Sequence, residues 1–281
     1  MSVCLRWVVE GGGCEGGRCC CSAESAPPAG RGLAVVRAPA AYTCLAEDYD
    51  RLLGPLAEKT WRLGVLAEVA GLDLAAGATV VDLGAGTGIG GRLMPTAVAE
   101  AYRIGVDGAA AMLERASVWY ERTVLADVRE LPVETASAAL VVSGFDTLNY
   151  LDAVGLARCL HGVSRCLAPG GWLVFDYSSP ELLRGVWRDR GEVEDVPGGS
   201  MSWRHRFEPV GQRCVSTVER RDGAGELLWR ERHVQYALDV YDLHVAAVVA
   251  GLRVERVRDL HREQFSPAAH THVWTLHKQV R

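Results

Sequence analysis

One short segment limits the possible folds of this chain more than any other. Residues 80–88 read Val-Val-Asp-Leu-Gly-Ala-Gly-Thr-Gly, an apolar β-branched run that leads directly into three glycines at alternate positions. The run Ala78–Leu83 is typical of a strand that is buried on both faces of a parallel sheet. Gly84, Gly86 and Gly88 allow the backbone to turn tightly and to approach a ligand without side chains in the way. The segment therefore predicts an α/β fold with a nucleotide-like ligand at the end of its first strand.

The spacing of these glycines separates two kinds of nucleotide site. The dinucleotide fingerprint Gly-x-Gly-x-x-Gly, counted from Gly84, places Ile89 at its sixth position, although a count from Gly86 does reach Gly91. A dinucleotide site is therefore weakened but not excluded. Asp82 lies two residues before Gly84, where its carboxylate would repel a pyrophosphate and attract an ammonium group. The pattern favours a cationic ligand such as S-adenosylmethionine.

Strand and helix patterns alternate along most of the chain. The spacing of apolar residues predicts helices at 56–70, 89–101, 109–117 and 152–167, and further strands at 102–106, 123–126, 138–143 and 172–176. This alternation predicts the α/β class, with a doubly wound, mostly parallel, Rossmann-like sheet in a domain that spans residues 39–281.

Past residue 177 the periodicity changes to that of antiparallel strands. Residues 198–236 are predicted to form a three-stranded antiparallel insertion, with strands at Met201–Phe207, Cys214–Arg220 and Leu227–Tyr236. Asp222-Gly223 is a strong hairpin signal between the last two of these strands. A helix at 239–250 and two closing strands, at 253–259 and 272–277, complete the predicted domain.

From Tyr42 to His277 the chain resembles the class I S-adenosylmethionine-dependent methyltransferases. The resemblance rests on the glycine loop 84–88, on Asp107 in Ile-Gly-Val-Asp-Gly, on Asp127 in Leu-Ala-Asp-Val, and on the turn Leu167–Trp172. In that family the first acid accepts both ribose hydroxyls and the second receives the adenine amino group. The resemblance implies S-adenosylmethionine as the cofactor and an in-line displacement that requires no metal and no covalent intermediate.

The same resemblance implies the rest of the cofactor site. Met112 lies where an apolar side chain commonly covers the adenine, and Tyr49 belongs to a Tyr-Asp segment that folds over the methionine carboxylate or the sulfonium. The chain departs from the family after Asp107, because Gly108 and the alanines that follow offer only backbone atoms in place of a small polar side chain. The predicted cofactor-binding residues are Tyr49, Asp82, Gly84, Ala85, Gly86, Gly88, Asp107, Gly108, Met112, Asp127, Val128 and Ser143.

The loop after the fourth predicted strand is the candidate catalytic segment. Residues 143–150 read Ser-Gly-Phe-Asp-Thr-Leu-Asn-Tyr and resemble the Asp-x-x-Asn-Tyr loop of some small bacterial methyltransferases. They do not match the Asp/Asn-Pro-Pro-Tyr/Phe loop by which adenine methyltransferases hold a planar base. Asp146 and Tyr150 are predicted to orient an amine or to accept a proton.

A small molecule with an amine or a hydroxyl is the expected methyl acceptor. Residues 198–236 are predicted to cover it as a lid, and Asn149, Trp203 and His205 are predicted to bind it. A core with a small antiparallel insertion resembles amino-sugar and glycine N-methyltransferases. An amine is preferred, because a neutral amine needs no strong base and the sequence shows no convincing histidine–acid pair.

Composition limits the partners. The chain has 35 acidic and 30 basic residues, for a net charge of −5, and no long Lys/Arg block, which argues against nucleic-acid binding. The chain has no run of about 18 apolar residues, so no membrane span is predicted.

Residues 1–38, rich in Gly, Cys and Ala, are expected to be a disordered tail without metal, since adjacent cysteines cannot converge on one tetrahedral centre. We expect a cytoplasmic monomer or homodimer. A nicotinamide-dependent oxidoreductase and a non-catalytic cofactor-binding protein are the alternatives.

Overall fold

The computed structural model describes residues 41–94, 98 and 100–280, which form two β-sheets with helices packed against the larger one. The predicted tail, residues 1–38, lies outside the described residues. The helices are α1 Tyr49–Leu63, α2 Val65–Val69, α3 Ile89–Leu93, α4 Ala110–Ala116, α5 Ala153–Cys166 and α6 Val240–Val249. The strands of the larger sheet are β1 Thr79–Leu83, β2 Tyr102–Asp107, β3 Arg122–Leu125, β4 Ala138–Ser143, β5 Leu167–Ser178, β10 Leu252–Asp259 and β11 Thr271–Lys278. Those of the smaller sheet are β6 Gly191–Val196, β7 Gly199–Glu208, β8 Arg213–Asp222 and β9 Leu227–Tyr236.

The larger sheet has seven strands in the order β10-β11-β5-β4-β1-β2-β3. Neighbours from β5 to β3 pair in parallel, and β11 pairs antiparallel with both β5 and β10. The predicted doubly wound, mostly parallel sheet is therefore confirmed. Because parallel strands all end at the same edge, the residues that follow β1, β2 and β4 meet there.

The interior of this sheet explains why its strands are nearly continuous apolar runs. Val80, Val81 and Leu83 of β1 are fully buried, as are Val141 and Val142 of β4. Strands covered by helices on both faces bury both sets of alternate side chains, so polar residues are confined to the strand ends. Asp82 and Asp107 are buried exceptions near those ends, and both belong to the predicted cofactor site.

The smaller sheet has four antiparallel strands, so the prediction of a three-stranded insertion at residues 198–236 was wrong by one strand. The missed strand, β6, has the sequence Gly-Glu-Val-Glu-Asp-Val and is mostly exposed at the edge of the sheet. An edge strand needs no apolar face, and its acidic residues hide the alternation by which the other three strands were recognised.

The helix predicted at 56–70 is two helices with different bounds. α1 begins earlier, at Tyr49, and contains Pro55, while Gly64 separates it from α2. Proline inside a helix removes one hydrogen-bond donor, so sequence patterning places the helix start near Pro55 and misses the first turns. The helix predicted at 89–101 is represented by α3, and residues 95–97 and 99 lie outside the described residues. Within the described part of the chain, each helix is too short or too polar to cross a bilayer.

Candidate active site

The glycine loop after β1 is held against the end of β2 by one carboxylate. Gly84, Gly86 and Gly88 have φ values of 75°, 55° and 93°, which side chains other than glycine rarely adopt. The Gly86 N–H donates to Asp107 Oδ2 at 2.7 Å, and the Ala109 N–H donates to Asp107 Oδ1 at 2.9 Å. Burial raises the pKa of Asp107 to about 7, although these two bonds lower it. Asp107 therefore orients the loop through both of its oxygens, and its role toward the ribose stays a prediction.

Asp82 has one hydrogen-bonded and one unpartnered carboxylate oxygen. Tyr120 Oη donates to Asp82 Oδ2 at 2.5 Å and accepts the Gly91 N–H at 2.9 Å. Burial raises the pKa of Asp82 to about 7, the Tyr120 bond lowers it, and the neighbouring Asp107 raises it further. Asp82 Oδ1 is buried without a partner among the described residues. A cationic amino group would donate a hydrogen bond to this oxygen, so the Asp82 carboxylate fits the ammonium group of S-adenosylmethionine.

A narrow cavity of about 20 Å³ lies along this loop, under α1. Five residues predicted to bind cofactor line it: Tyr49, Gly84, Ala85, Gly86 and Met112. Sequence reasoning missed the other eight: Ala57, Trp61, Thr87, Ile89, Gly90, Gly144, Phe145 and Thr147. Small-molecule sites usually enclose about 300–1,000 Å³, so this cavity is smaller than a nucleoside needs.

Trp61 is the largest of the missed residues. A Cβ at Gly144 would lie 2.3 Å from the Trp61 ring, and a Cβ at Gly90 would lie 2.6 Å from it, so the indole packs directly on backbone that follows β1 and β4. Trp61 follows Tyr49, Leu53 and Ala57 at steps of four residues, which places all four on one face of α1. That spacing was the available signal, and it was hidden because the helix was predicted to begin after Tyr49.

A second contact holds α1 over the glycine loop. Thr87 Oγ1 donates to Asp50 Oδ1 at 2.5 Å, which joins the first turn of the helix to the loop. Burial raises the pKa of Tyr49, and the charges of Asp146 and Asp50 raise it further, so its phenol stays protonated. The predicted Tyr-Asp segment thus lies over the candidate cofactor position.

Other predicted cofactor residues lie beside this cavity and do not line it. Ser143 Oγ donates to the Leu83 carbonyl at 2.9 Å and joins the ends of β4 and β1. Asp127 forms a bidentate ion pair with Arg129; burial opposes ionisation of Asp127, but the Arg129 bonds outweigh it and lower the pKa. Three more lie near the same strand ends: Gly88, Gly108 and Val128. Their roles toward the cofactor stay predictions.

The loop after β4 is strained and braced by a buried carboxylate. Phe145 and Asp146 have φ values of 58° and 56°, and their N–H groups donate to Asp176 Oδ2 and Oδ1 at 2.8 and 2.7 Å. Burial raises the pKa of Asp146 well above its usual range, and the charge of Asp176 raises it further. The protonated acid is therefore favoured, and Asp146 is a better hydrogen-bond donor than base.

Asn149 joins three elements through its side-chain amide. Its Nδ2 donates to the carbonyls of Ser178 at 2.8 Å and Tyr236 at 3.3 Å, and its Oδ1 accepts the Ser178 N–H at 2.8 Å. These bonds join the β4 loop to the ends of β5 and β9. The structure thus uses the predicted acceptor-binding amide to position the loop.

A larger cavity, of about 420 Å³, lies between α1 and the smaller sheet. Trp203 and His205, both predicted to bind the acceptor, line it. His205 stacks on Trp187 with ring centroids 5.0 Å apart, and its Nδ1 lies 2.7 Å from Ser216 Oγ. Burial lowers the pKa of His205 to about 4, so it is neutral at physiological pH. Trp203 Nε1 is a buried donor without a partner in the described structure.

β9 holds the residues that precede α1. The Glu231 carboxylate accepts the N–H groups of Tyr42, Cys44 and Leu45 at 3.0, 2.6 and 3.2 Å. His233, two residues along the same strand, lies with its Nε2 3.5 Å from Glu231 Oε2. The sequence showed no convincing histidine–acid pair, and this one corrects that interpretation. Within residues 41–94, 98 and 100–280, no three His, Cys, Asp or Glu side chains converge as a metal site.

Comparison with known proteins agrees with this geometry. Residues 80–171 match the model of a methyltransferase domain family. A 147-residue stretch is 36% identical to malonyl-[acyl-carrier protein] O-methyltransferase of Halorhodospira halophila, and covers 48% of this chain and 46% of that protein. The chain therefore contains a methyltransferase domain. The alignment spans less than half the length of that relative, so its acceptor says little about the acceptor of this chain.

Solved structures show that the resemblance extends through most of the methyltransferase fold. An S-adenosylmethionine-dependent methyltransferase from Clostridium acetobutylicum superposes with a TM-score of 0.71 at 20% identity, over 85% of this chain and 99% of that one. The sugar N-methyltransferase KedS8 from Streptoalloteichus superposes with a TM-score of 0.60 at 20% identity, over 90% of this chain and 97% of that one. Both coverages exceed the family-model match, so the fold includes the smaller sheet region as well as the core.

Proposed function

We propose that this protein transfers the methyl group of S-adenosylmethionine to an amine or hydroxyl of a small molecule that binds in the 420 Å³ cavity. The observation that carries the proposal is that α1 lines both cavities. Ala57 and Trp61 face the cofactor cavity, and Leu52, Leu53 and Leu56 face the larger one. Ligands that bind along the same helix can be held together for an in-line transfer.

The lining of the larger cavity suits a small organic molecule with both apolar and polar parts. Three leucines form one wall, and the rings of Trp187, Trp203 and His205 form another. The unpartnered Trp203 N–H offers a hydrogen bond to an acceptor atom of the ligand. Two structural neighbours are named for sugar substrates, a sugar N-methyltransferase and an amino pentose methyltransferase. These names support an amine on a saturated ring as the first class to test.

The chain's own residues divide the work of catalysis. S-Adenosylmethionine, when bound, supplies an activated methyl group on a sulfonium. Asp82 and Asp107 hold the amino and ribose ends of the cofactor, and Tyr49 covers the reactive centre. The strained loop at Phe145 and Asp146 fixes the position of the acceptor relative to that centre.

The test is transfer of tritiated methyl from S-adenosylmethionine to a panel of probe acceptors: glucosamine, a deoxyamino pentose, glycine and catechol. Leu56→Trp fills the larger cavity and should raise the acceptor KM at least tenfold, while S-adenosylhomocysteine affinity stays within about twofold. Leu63→Trp, at the exposed end of the same helix, is the matched control. Loss of S-adenosylhomocysteine binding in Leu56→Trp, or an unchanged acceptor KM, would contradict the assignment of this cavity to the acceptor.

A further inference from the structure

The inner face of the smaller sheet carries a buried histidine–carboxylate pair that cofactor binding does not explain. Glu231 and His233 are alternate residues of β9, so their side chains lie on the same face. Their exposures are 1% and 0%. His233 Nε2 is 3.5 Å from Glu231 Oε2 and forms no hydrogen bond to any described residue. A buried polar atom without a hydrogen bond requires an explanation, and a catalytic role is a common one.

The Glu231 carboxylate cannot turn away from the histidine. Three N–H donors of the segment 42–45 hold it, at distances from 2.6 to 3.2 Å. A carboxylate only accepts hydrogen bonds, so the position of Glu231 favours the tautomer with hydrogen on Nε2, the ring nitrogen nearest to it. The lone pair of His233 is then on Nδ1, on the opposite side of the ring.

Nδ1 faces the candidate catalytic loop. Tyr150 Oη lies 3.4 Å from His233 Nδ1, and Tyr150 ends a short 3₁₀ turn that begins at Thr147. Thr147, with Gly144 and Phe145, lines the cofactor cavity. Tyr150 therefore joins the loop that lines this cavity to β9, and it lines neither of the two cavities itself. Catalytic hydrogen bonds are often long before substrates bind, so distances of 3.4 and 3.5 Å are compatible with a working chain.

We propose that Tyr150, His233 and Glu231 form a proton-transfer chain that takes the proton of the methyl acceptor, an inference that rests on the proposed methyltransferase function. The acceptor's nitrogen or oxygen forms its bond to the methyl carbon as the carbon–sulfur bond breaks, and that electron pair stays on sulfur. A protonated amine passes its proton to Tyr150 Oη before the displacement, which frees the nitrogen lone pair, and a hydroxyl passes its proton during the displacement. In both cases the proton of Tyr150 passes to His233 Nδ1. The imidazolium formed lies beside the Glu231 carboxylate, which stabilises it.

This assignment makes Tyr150 the catalytic residue, and it makes His233 and Glu231 positioning residues that act through it. It also narrows the acceptor to a group that must lose a proton, namely a hydroxyl or a protonated amine. Asp146 is a poor substitute, because its burial next to Asp176 raises its pKa and favours the protonated acid. His205 has a pKa lowered to about 4 by burial, so it holds a transferred proton weakly.

The first test needs no acceptor. The full chain, labelled with ¹⁵N-histidine and loaded with S-adenosylhomocysteine, is examined by NMR to find which nitrogen of His233 carries hydrogen. The proposal expects hydrogen on Nε2 and none on Nδ1, with the Nδ1 signal displaced in Tyr150→Phe and the Nε2 signal displaced in Glu231→Gln. Hydrogen on Nδ1 of the unsubstituted protein overturns the chain, because that nitrogen could not accept a proton.

The second test uses the best acceptor of the panel. Tyr150→Phe and His233→Gln should each lower kcat on the order of a hundredfold and leave S-adenosylhomocysteine affinity within about twofold. His277→Gln is the matched control, because His277 lies 3.8 Å from Glu255 near the start of β5, away from the site. An unchanged kcat in Tyr150→Phe overturns the proton-transfer chain, while the proposed methyltransferase function stands. If the unsubstituted protein methylates nothing, the proposed function fails, and the NMR result still decides on the chain.

Discussion

Replacing Asp82 by asparagine should change how the stability of the protein depends on pH. Asp82 is fully buried, and its pKa is raised from 3.8 to about 7. Between these two values the folded protein keeps the proton on Asp82 while the unfolded chain releases it. The folded state then binds more protons than the unfolded state, so the free energy of unfolding falls as pH rises from about 4 to about 7 and stays level above that.

The size of the effect follows from the displacement of the pKa. About three units at about 1.36 kcal/mol each set a ceiling of about 4 kcal/mol on the stability lost through Asp82. The side chain of residue 82 cannot ionise in Asp82→Asn. The free energy of unfolding of this variant should therefore fall by about 2 to 4 kcal/mol less than that of the original protein over the same pH range. Asp107, whose pKa is also raised to about 7, contributes to both proteins and largely cancels in the comparison.

The assay is urea unfolding at pH 4.5, 6 and 8, with Asp73→Asn as the control at an exposed carboxylate. The two variants should separate: Asp73→Asn should follow the original protein, and Asp82→Asn should show the flatter pH dependence. Equal losses of stability in Asp82→Asn and the original protein would refute the argument that Asp82 is buried as a neutral acid.

Two further predictions concern the packing around the site. Gly144→Ala should destabilise the protein by about 1 to 3 kcal/mol in thermal unfolding, because the new Cβ would lie 2.3 Å from Trp61. Gly54→Ala is the control, since its new Cβ would have its nearest neighbour at 3.8 Å, and equal stability of the two variants would argue against the close packing. Glu231→Ala leaves three buried N–H groups without their acceptor and should lower the free energy of unfolding in urea by at least about 3 kcal/mol. A decrease no larger than that of Glu255→Ala on the surface would contradict the role assigned to Glu231.

The parts of the fold set by local patterns were predictable. The glycine loop follows from a few consecutive residues, since only a buried strand followed by alternating glycines places that backbone at the end of a sheet. Asp107 was found for the same reason, because it ends the next strand and parallel strands share one edge. The order of helices and strands followed from their two periodicities, which do not depend on distant residues.

The parts set by distant contacts were not predictable. Glu231 bonds to backbone groups 186 to 189 residues away, and a backbone N–H leaves no trace in the side-chain sequence. The alternation of β9 places Glu231 and His233 on one face, but only the folded sheet shows that this face is buried. Trp61 was missed for a local reason, because Pro55 hid the start of α1, and β6 was missed because an edge strand carries no apolar pattern.

α1 covers the glycine loop with Ala57 and Trp61 and forms the leucine wall of the larger cavity with Leu52, Leu53 and Leu56. Any displacement of the helix that opens one cavity also changes the shape of the other, so the two binding free energies are linked. Such linkage is reciprocal by thermodynamic necessity: the factor by which a bound acceptor changes the affinity for the cofactor equals the factor by which the cofactor changes the affinity for the acceptor. A competitive inhibitor that occupies only the larger cavity would therefore also alter how tightly the demethylated cofactor is retained, and with it the rate at which the enzyme can turn over.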